Sequence, residues 1–155
     1  MNLTDILSRE TVVLPLRKVN KIDIIEHLVQ ILDNANKIND LNKVLKAVLD
    51  REAVMSTGVG EGVAIPHGKS DAAPNIVAAL GIADKPVDFD AIDQQPVQLI
   101  WLLVGPPGKT GQHLKALSRI SRLMHRSDFR NRLIAATSEE AALEEIANEE
   151  EKLFK

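Results

Sequence analysis

The first third of the chain contains two segments in which apolar residues recur at helical spacing. Residues 20–37, NKIDIIEHLVQILDNANK, open with Asn20, a residue type favoured at helix N-caps. The apolar positions of this segment are Ile22, Ile25, Leu28, Val29 and Leu32. Residues 40–52, DLNKVLKAVLDRE, repeat the pattern at Leu41, Val44, Leu45 and Val48. The spacing predicts two amphipathic helices that pack together.

Shorter elements are predicted before these helices. Residues 2–10, NLTDILSRE, are typical of a short helix that begins at Thr4. Residues 11–16, TVVLPL, are typical of a short strand that is broken by Pro15. The chain is therefore expected to start with a helix and a strand.

Between Thr57 and Val104 the pattern changes to short apolar runs separated by glycine and proline. The runs are VAIPH at 63–67, NIVAALGIAD at 75–84 and PVQLIWLLVG at 96–105. Runs of this length, bounded by residues that interrupt helices, are typical of buried strands. The centre of the chain therefore predicts a sheet core.

The last third returns to helical spacing. Residues 110–125, TGQHLKALSRISRLMH, place Leu114, Leu117, Ile120, Leu123 and Met124 on one face. Two more helical segments follow, and the second opens with Thr137 and Glu140 at the spacing of a capping box. Helices before and after a central sheet predict an α/β sandwich of three layers, with helices on both faces of the sheet.

Composition narrows the class of protein. A length of 155 residues fits a single domain over 1–155, and 45% hydrophobic with 26% charged residues is typical of soluble globular proteins. A net charge of -3 argues against nucleic-acid binding, and the absence of cysteine excludes disulfides and thiolate chemistry. The longest apolar run, LIWLLVG, is too short to span a bilayer. We therefore expect a cytoplasmic protein without membrane insertion.

One histidine stands out by its setting. Residues 56–70, STGVGEGVAIPHGKS, contain four of the chain's eight glycines and hold His67 between a proline and Gly68. The proline fixes the approach of the chain, and Gly68 permits a backbone path that other residues resist. We expect the ring at the end of a strand, where ligands collect in α/β sheets. The glycines, which have no side chains, leave that ring accessible to a large partner.

Two further residues complete a candidate site for phosphoryl transfer. Arg51 is a permanent cation just before the glycine-rich segment, and His113 falls in the first turn of a helix if Thr110 caps it. His67 would be the nucleophile, Arg51 the fixed charge and His113 a neutral hydrogen-bond donor. Each also has a structural alternative: a core histidine, an arginine that pairs on the surface, and a histidine that covers a helix start. Lys69 and Lys109 either add to the positive field or are simply solvated.

Two other glycine-rich stretches suggest nucleotide binding. GVGEG at 58–62 lacks both the following helix and the glycine spacing of a dinucleotide fingerprint. GPPGKTG at 105–111 lies between a strand and a helix, as in a P-loop, but Gly105 leaves the loop two residues short. Nucleotide binding through Lys109 therefore stays as a minor alternative. No histidine pair has a strong zinc spacing, so neither a metal nor a cofactor is expected.

The stretch STGVGEGVAIPHGK resembles the phosphorylation-site signature of enzyme IIA components of the bacterial phosphotransferase system, of the mannitol/fructose type. The resemblance extends to DRE before the signature and to GQHLKALSRISRLM after it. VDFDAIDQQPVQLIWLLVGP, residues 87–106, is most similar to the nitrogen-related, regulatory branch. The resemblance implies an α/β sandwich with a mixed central sheet.

The same resemblance implies an activity and partners. His67 would accept a phosphoryl group, at Nε2, from a histidine-containing phosphocarrier protein, with Arg51 and His113 binding the phosphoryl group. The output would be contact with regulated target proteins, in nitrogen- or potassium-type regulation. The alternative is a sugar-transport component, for fructose or mannitol, that passes the phosphoryl group to a separate IIB domain.

Overall fold

The computed structural model describes residues 1–154, which form a six-stranded sheet with five helices. The strands are β1 (Val12–Leu16), β2 (Gly58–Gly60), β3 (Val63–Ala64), β4 (His67–Lys69), β5 (Val77–Val87) and β6 (Val97–Gly105). The helices are α1 (Lys21–Asn34), α2 (Leu41–Val54), α3 (Thr110–Met124), α4 (Ser127–Ile134) and α5 (Glu139–Phe154). Within residues 1–154, no helix has the length and apolar character needed to cross a membrane.

The sheet is mixed, as the family resemblance implies. Its order is β1-β5-β6-β3-β2, and β4 pairs with β6 beyond β3. Strands β3 and β4 run parallel to β6, as β1 does to β5, whereas the β5–β6 and β2–β3 pairs are antiparallel. His67 is in register with Leu103, two residues before the end of β6. The register therefore brings His67 to the carboxyl edge of the central strand.

Helices cover both faces of the sheet, which confirms the predicted three-layer α/β sandwich. Successive residues of β6 point to opposite faces, so Ile100 and Trp101 enter different cores. The first core joins the sheet to α1 and α2 through residues such as Leu28 and Val48. The second joins it to α3, α4 and α5 through residues such as Ile120, Phe129 and Ile146. The region around His67 lies where these layers meet the sheet edge.

The N-terminal elements differ from the sequence predictions. A helix from Thr4 is wrong, because the chain forms two separate 3-10 turns, Leu3–Asp5 and Arg9–Thr11. The backbone N–H of Leu3 donates to Glu150 Oε2 (2.7 Å), which fixes the first turn against α5. Pro15 does not break β1, because β1 is an edge strand and an edge tolerates a residue without an N–H.

The helices are confirmed, but some of the predicted faces are not. Asn20 caps α1 by accepting from the Asp23 N–H (2.9 Å). Ile22 and Leu114, both assigned to buried faces, are 47% and 60% exposed, because the buried face of α1 starts at Ile24 and that of α3 includes His113 instead. At the start of α5 the cap is Ser138, which accepts from the Ala141 N–H (3.0 Å), so a Thr137 capping box is wrong.

Candidate functional site

The ring of His67 is fixed through one nitrogen. Its Nδ1 lies 2.8 Å from the carbonyl oxygen of Ile65. A carbonyl oxygen only accepts hydrogen bonds, so Nδ1 carries the proton and Nε2 keeps a lone pair when the ring is neutral. Burial lowers the pKa of His67, and the positive charges of Arg51 and Lys69 lower it further. The half-buried ring is therefore neutral near pH 7, with Nε2 as its nucleophilic atom.

Gly68 is required by packing against a helix. A Cβ at this position would lie 3.0 Å from the backbone nitrogen of Val48 and 3.1 Å from the carbonyl carbon of Ala47. Helix α2 thus approaches β4 so closely that a side chain would push it away. The sequence predicts an unusual backbone path at Gly68, whereas the structure explains this glycine by the close approach of α2. Since side chains alternate along a strand, His67 and Lys69 face away from α2.

The earlier glycines of the signature shape a hairpin. Gly60 (φ 104°), Glu61 (φ 61°) and Gly62 (φ 75°) form the turn between β2 and β3 in left-handed conformations that favour glycine. Their place in the turn accounts for Gly60 and Gly62. The turn returns the chain to β6, so that His67 reaches the sheet edge.

His113 lies beside His67 and is buried. The two ring centroids are 5.8 Å apart, with the planes inclined by 57°. His113 is only 2% exposed, and within residues 1–154 neither of its ring nitrogens has a hydrogen-bond partner. Its pKa is lowered to about 4, chiefly by burial and then by the charges of His67 and Lys69. The ring is therefore neutral at physiological pH.

His113 lies in the first turn of α3, as predicted, but Thr110 is not the cap. Lys109 occupies the N-cap position, and Thr110 has helical backbone angles. The Thr110 hydroxyl donates to the carbonyl oxygen of Pro107 (3.2 Å) and accepts from Lys69 Nζ (3.3 Å). Burial, rather than the helix dipole, is the main cause of the low pKa of His113.

Arg51 lies in the last turn of α2. Its Nη1 donates to the carbonyl oxygen of Met55 (2.8 Å), just beyond the end of that helix. Its charge lowers the pKa of His67, so the guanidinium acts on the same region. The structure thus places His113 beside His67, and Arg51 close enough for its charge to lower the pKa of His67.

Sequence reasoning missed Glu52, which supports this region. Its Oε2 accepts from the Thr57 N–H (2.8 Å) and from Lys21 Nζ (2.7 Å), and its Oε1 accepts from the Thr57 hydroxyl. The carboxylate is 6% exposed and joins the ends of α1, α2 and β2, and its charge raises the pKa of His67. A signal was available, because Glu52 follows Val48 by four residues on the buried face of α2.

The 105–111 segment folds as a strand, a turn and a helix. Strand β6 ends at Gly105, and Pro107–Lys109 form a 3-10 turn that leads into α3. The Lys109 N–H donates to the carbonyl oxygen of Pro106 (3.2 Å), so this donor is used within the turn. A phosphate-binding loop needs such donors to point at its ligand. The fold of this segment therefore gives nucleotide binding no support.

The fold and the histidine pair agree with a match to a known family. Residues 5–149 match the family described as "Phosphoenolpyruvate-dependent sugar phosphotransferase system, EIIA 2". The match covers most of the chain, so the chain belongs to this family of phosphotransferase-system components.

Relatives of the chain include both regulatory and sugar-specific proteins. It is 37% identical to the nitrogen regulatory protein of Bradyrhizobium diazoefficiens, over 95% of each protein. It is 38% identical to the fructose-specific EIIABC component of Bacillus subtilis, over 98% of this chain but only 24% of that relative. Among solved structures, nitrogen regulatory protein IIA-Ntr from Neisseria meningitidis matches with a TM-score of 0.86 and 31% identity, over 92% of this chain and 97% of that one.

Proposed function

We propose that the chain is a phosphohistidine carrier in which Nε2 of His67 accepts a phosphoryl group from a histidine-containing phosphocarrier protein. One observation carries the proposal: the Ile65 carbonyl oxygen lies 2.8 Å from Nδ1 and accepts a hydrogen bond from it, which leaves the Nε2 lone pair free. A neutral ring held in one tautomer and one orientation is the state a nucleophile needs. Membership of the EIIA family supplies the class of reaction.

The transfer step is an exchange of one nitrogen–phosphorus bond for another. Nε2 of His67 attacks the phosphorus of the donor's phosphohistidine. As the new bond forms, the donor bond breaks, and the donor ring retains the electron pair of that bond. The proton on Nδ1 of His67 stays on that nitrogen throughout, hydrogen-bonded to the Ile65 carbonyl oxygen. The chain's contribution is positioning and electrostatic stabilisation, which dominate phosphoryl transfer.

His113 and Arg51 are proposed to bind the phosphoryl oxygens. His113 is neutral, so one ring nitrogen carries a proton that it can donate to an oxygen of the phosphoryl group. A buried nitrogen without a partner is unfavourable by about 1–3 kcal/mol, so an arriving oxygen would satisfy it. Arg51 offers a planar set of donors that suits phosphate oxygens once it releases the Met55 carbonyl.

A regulatory role is the first candidate for the output. The nitrogen regulatory protein of Bradyrhizobium diazoefficiens aligns with this chain over 95% of each protein, and this shared extent favours the regulatory branch. Phosphorylation adds negative charge at the His67 surface and so changes which proteins bind there. The proposed output is a contact with target proteins that depends on the phosphorylation state.

A role in sugar transport is the second candidate. It is favoured by the 38% identity to a fructose-specific EIIABC component. In that case phosphorylated His67 would pass its phosphoryl group to a IIB domain. The two roles separate when the phosphorylated chain is mixed with a fructose-type IIB domain. Loss of the adduct within seconds to minutes supports transport, whereas an adduct that persists supports regulation.

Intact-mass spectrometry tests the phosphohistidine itself. The chain is incubated with phosphoenolpyruvate, enzyme I and the phosphocarrier protein, and we expect one acid-labile phosphoryl adduct. His67→Ala should carry no adduct, while His125→Ala, at an exposed histidine on the surface, should be labelled like the wild type. A wild type that stays unlabelled, or an adduct that survives in His67→Ala, would refute the proposal.

A further inference from the structure

One side-chain contact links the strand that carries His67 to the helix that carries His113. Lys69, the last residue of β4, lies two residues after His67 and therefore on the same side of the strand. Its Nζ lies 3.3 Å from the hydroxyl oxygen of Thr110, the first residue of α3. Thr110 precedes His113 by three residues, which puts the two on one face of the helix. The contact thus lies beside both rings.

The Thr110 hydroxyl is oriented to hold the ammonium. Its proton is directed at the Pro107 carbonyl oxygen (3.2 Å), so an oxygen lone pair is left for Lys69. An ammonium has three N–H donors, and this contact uses one of them. The charge of Lys69 also lowers the pKa of both His67 and His113, so its field reaches both rings.

Lys109 provides an internal comparison. It lies next to Thr110 in sequence and, like Lys69, is exposed, but it occupies the N-cap position of α3 without a side-chain cap hydrogen bond. The sequence allows both lysines the same two possible roles, but in the structure their side chains have different surroundings. Lys69 is tethered beside the histidines, and Lys109 belongs to the surface of the turn.

We infer that Lys69 is a further phosphoryl-binding residue, held by Thr110 so that its ammonium contacts the phosphoryl group carried on His67. The inference rests on the proposed function of His67. The flexible side chain keeps donors available for phosphoryl oxygens while the Thr110 hydroxyl limits where the ammonium can go. A cation at this position stabilises the phosphorylated form of this chain relative to the phosphorylated donor, and so shifts the transfer equilibrium toward this chain.

The test variant is Lys69→Met. Lys109→Met is the control for the loss of one positive charge, and Lys69→Arg tests whether another cation restores the effect. Phosphoryl distribution between the phosphocarrier protein and the full chain is measured at equilibrium by intact mass. We expect Lys69→Met to shift it toward the donor by about fivefold, the upper end for an exposed ion pair. Lys69→Arg should keep most of the wild-type value, and Lys109→Met should leave it unchanged.

Histidine titration by NMR gives a readout that needs no phosphorylation. Loss of the Lys69 charge should raise the pKa of both His67 and His113, whereas Lys109→Met should move neither. If the wild type takes up no phosphoryl group, the proposed function and this inference both fall. If the wild type is labelled but Lys69→Met matches it, or Lys109→Met shifts the equilibrium as much, only the role of Lys69 is refuted.

Discussion

Two glycine-bearing segments deliver the two histidines of the site, and they do so by different physical means. In the segment that carries His67, Gly68 is fixed by the α2 backbone. In the segment that leads to His113, Gly108 and Gly111 have open space where a Cβ would be. The ring of His67 has a defined partner in the Ile65 carbonyl, whereas the ring of His113 is buried without one.

Gly68 is therefore a glycine that the packing requires, whereas Gly108 and Gly111 occupy positions where the packing has room for a side chain. The two neutral imidazoles also differ in their settings: burial lowers the pKa of both rings, but within the described part of the chain only one of the two, His67, has a hydrogen bond that selects its tautomer. Four substitutions or conditions test this contrast.

Gly68→Val should have the largest effect. The new Cβ would lie 3.0 Å from the Val48 backbone nitrogen, and backbone, unlike a side chain, cannot rotate aside. We expect the free energy of unfolding to fall by about 2–3 kcal/mol, the usual scale of overpacking, as measured by urea denaturation. Gly108→Val, the same change in open space, should cost under about 0.5 kcal/mol. Equal losses in the two variants would contradict the role given to the α2 contact.

Lowering the pH should destabilise the chain through His113. Its pKa is about 4 in the folded chain against an ordinary value of 6.5, so the unfolded chain binds more protons between these values. Neutral His113 makes its full contribution to the free energy of unfolding above pH 6.5, and this contribution is lost as the pH falls toward 4. Between pH 7 and pH 5 the free energy of unfolding should fall by about 2 kcal/mol from this residue. Denaturation at both pH values measures it.

His113→Leu should remove most of that pH dependence and separate stability from activity. A leucine occupies similar space without buried ring nitrogens that lack partners, so the free energy of unfolding at pH 7 should rise by about 1 kcal/mol. Phosphoryl transfer to His67 should slow by about 10- to 100-fold, because a hydrogen-bond donor is lost. Rapid-quench labelling measures the rate. A variant that is as active as the wild type would show that His113 does not contact the phosphoryl group.

Gly111→Ala should have the smallest effect, and it should be favourable. Gly111 is the second residue of α3, and a Cβ there meets no atom within 4 Å. Alanine restricts the unfolded chain and suits a helix, so the free energy of unfolding should rise by about 0.5 kcal/mol, seen as a higher Tm. A clear loss of stability would mean that this segment needs its glycine after all.

The sequence anticipated those features of the site that depend on neighbours along the chain. The Pro–His–Gly triplet singled out His67, the helical spacing put His113 in the first turn of α3, and the side chain of Asn20 caps α1 as predicted. Errors arose where local spacing was taken to fix a buried face. Leu114 has the right periodicity for the apolar stripe of α3 but is 60% exposed, while His113 beside it is buried.

Glu52 and Lys69 show what local patterns do not contain. The carboxylate of Glu52 is held by Lys21 from another helix, and Lys69 finds Thr110 across 41 residues of sequence. Neither partner is specified by its distance along the chain. Each pair forms because helices and strands pack at particular offsets, and those offsets are set by whole cores of apolar side chains.

The sequence by itself determined the order of the five helices and of β1, β5 and β6, the chemistry available near His67, and the family to which the chain belongs. The tertiary structure decided that Gly68 is needed for α2, that His113 is buried against His67, and that Lys69 rather than Lys109 is held beside both rings. The physical reason is the distance along the chain over which each kind of interaction acts. Periodicity and capping act within a few residues, whereas burial, close approach and electrostatic fields depend on which distant segments the packed core brings together.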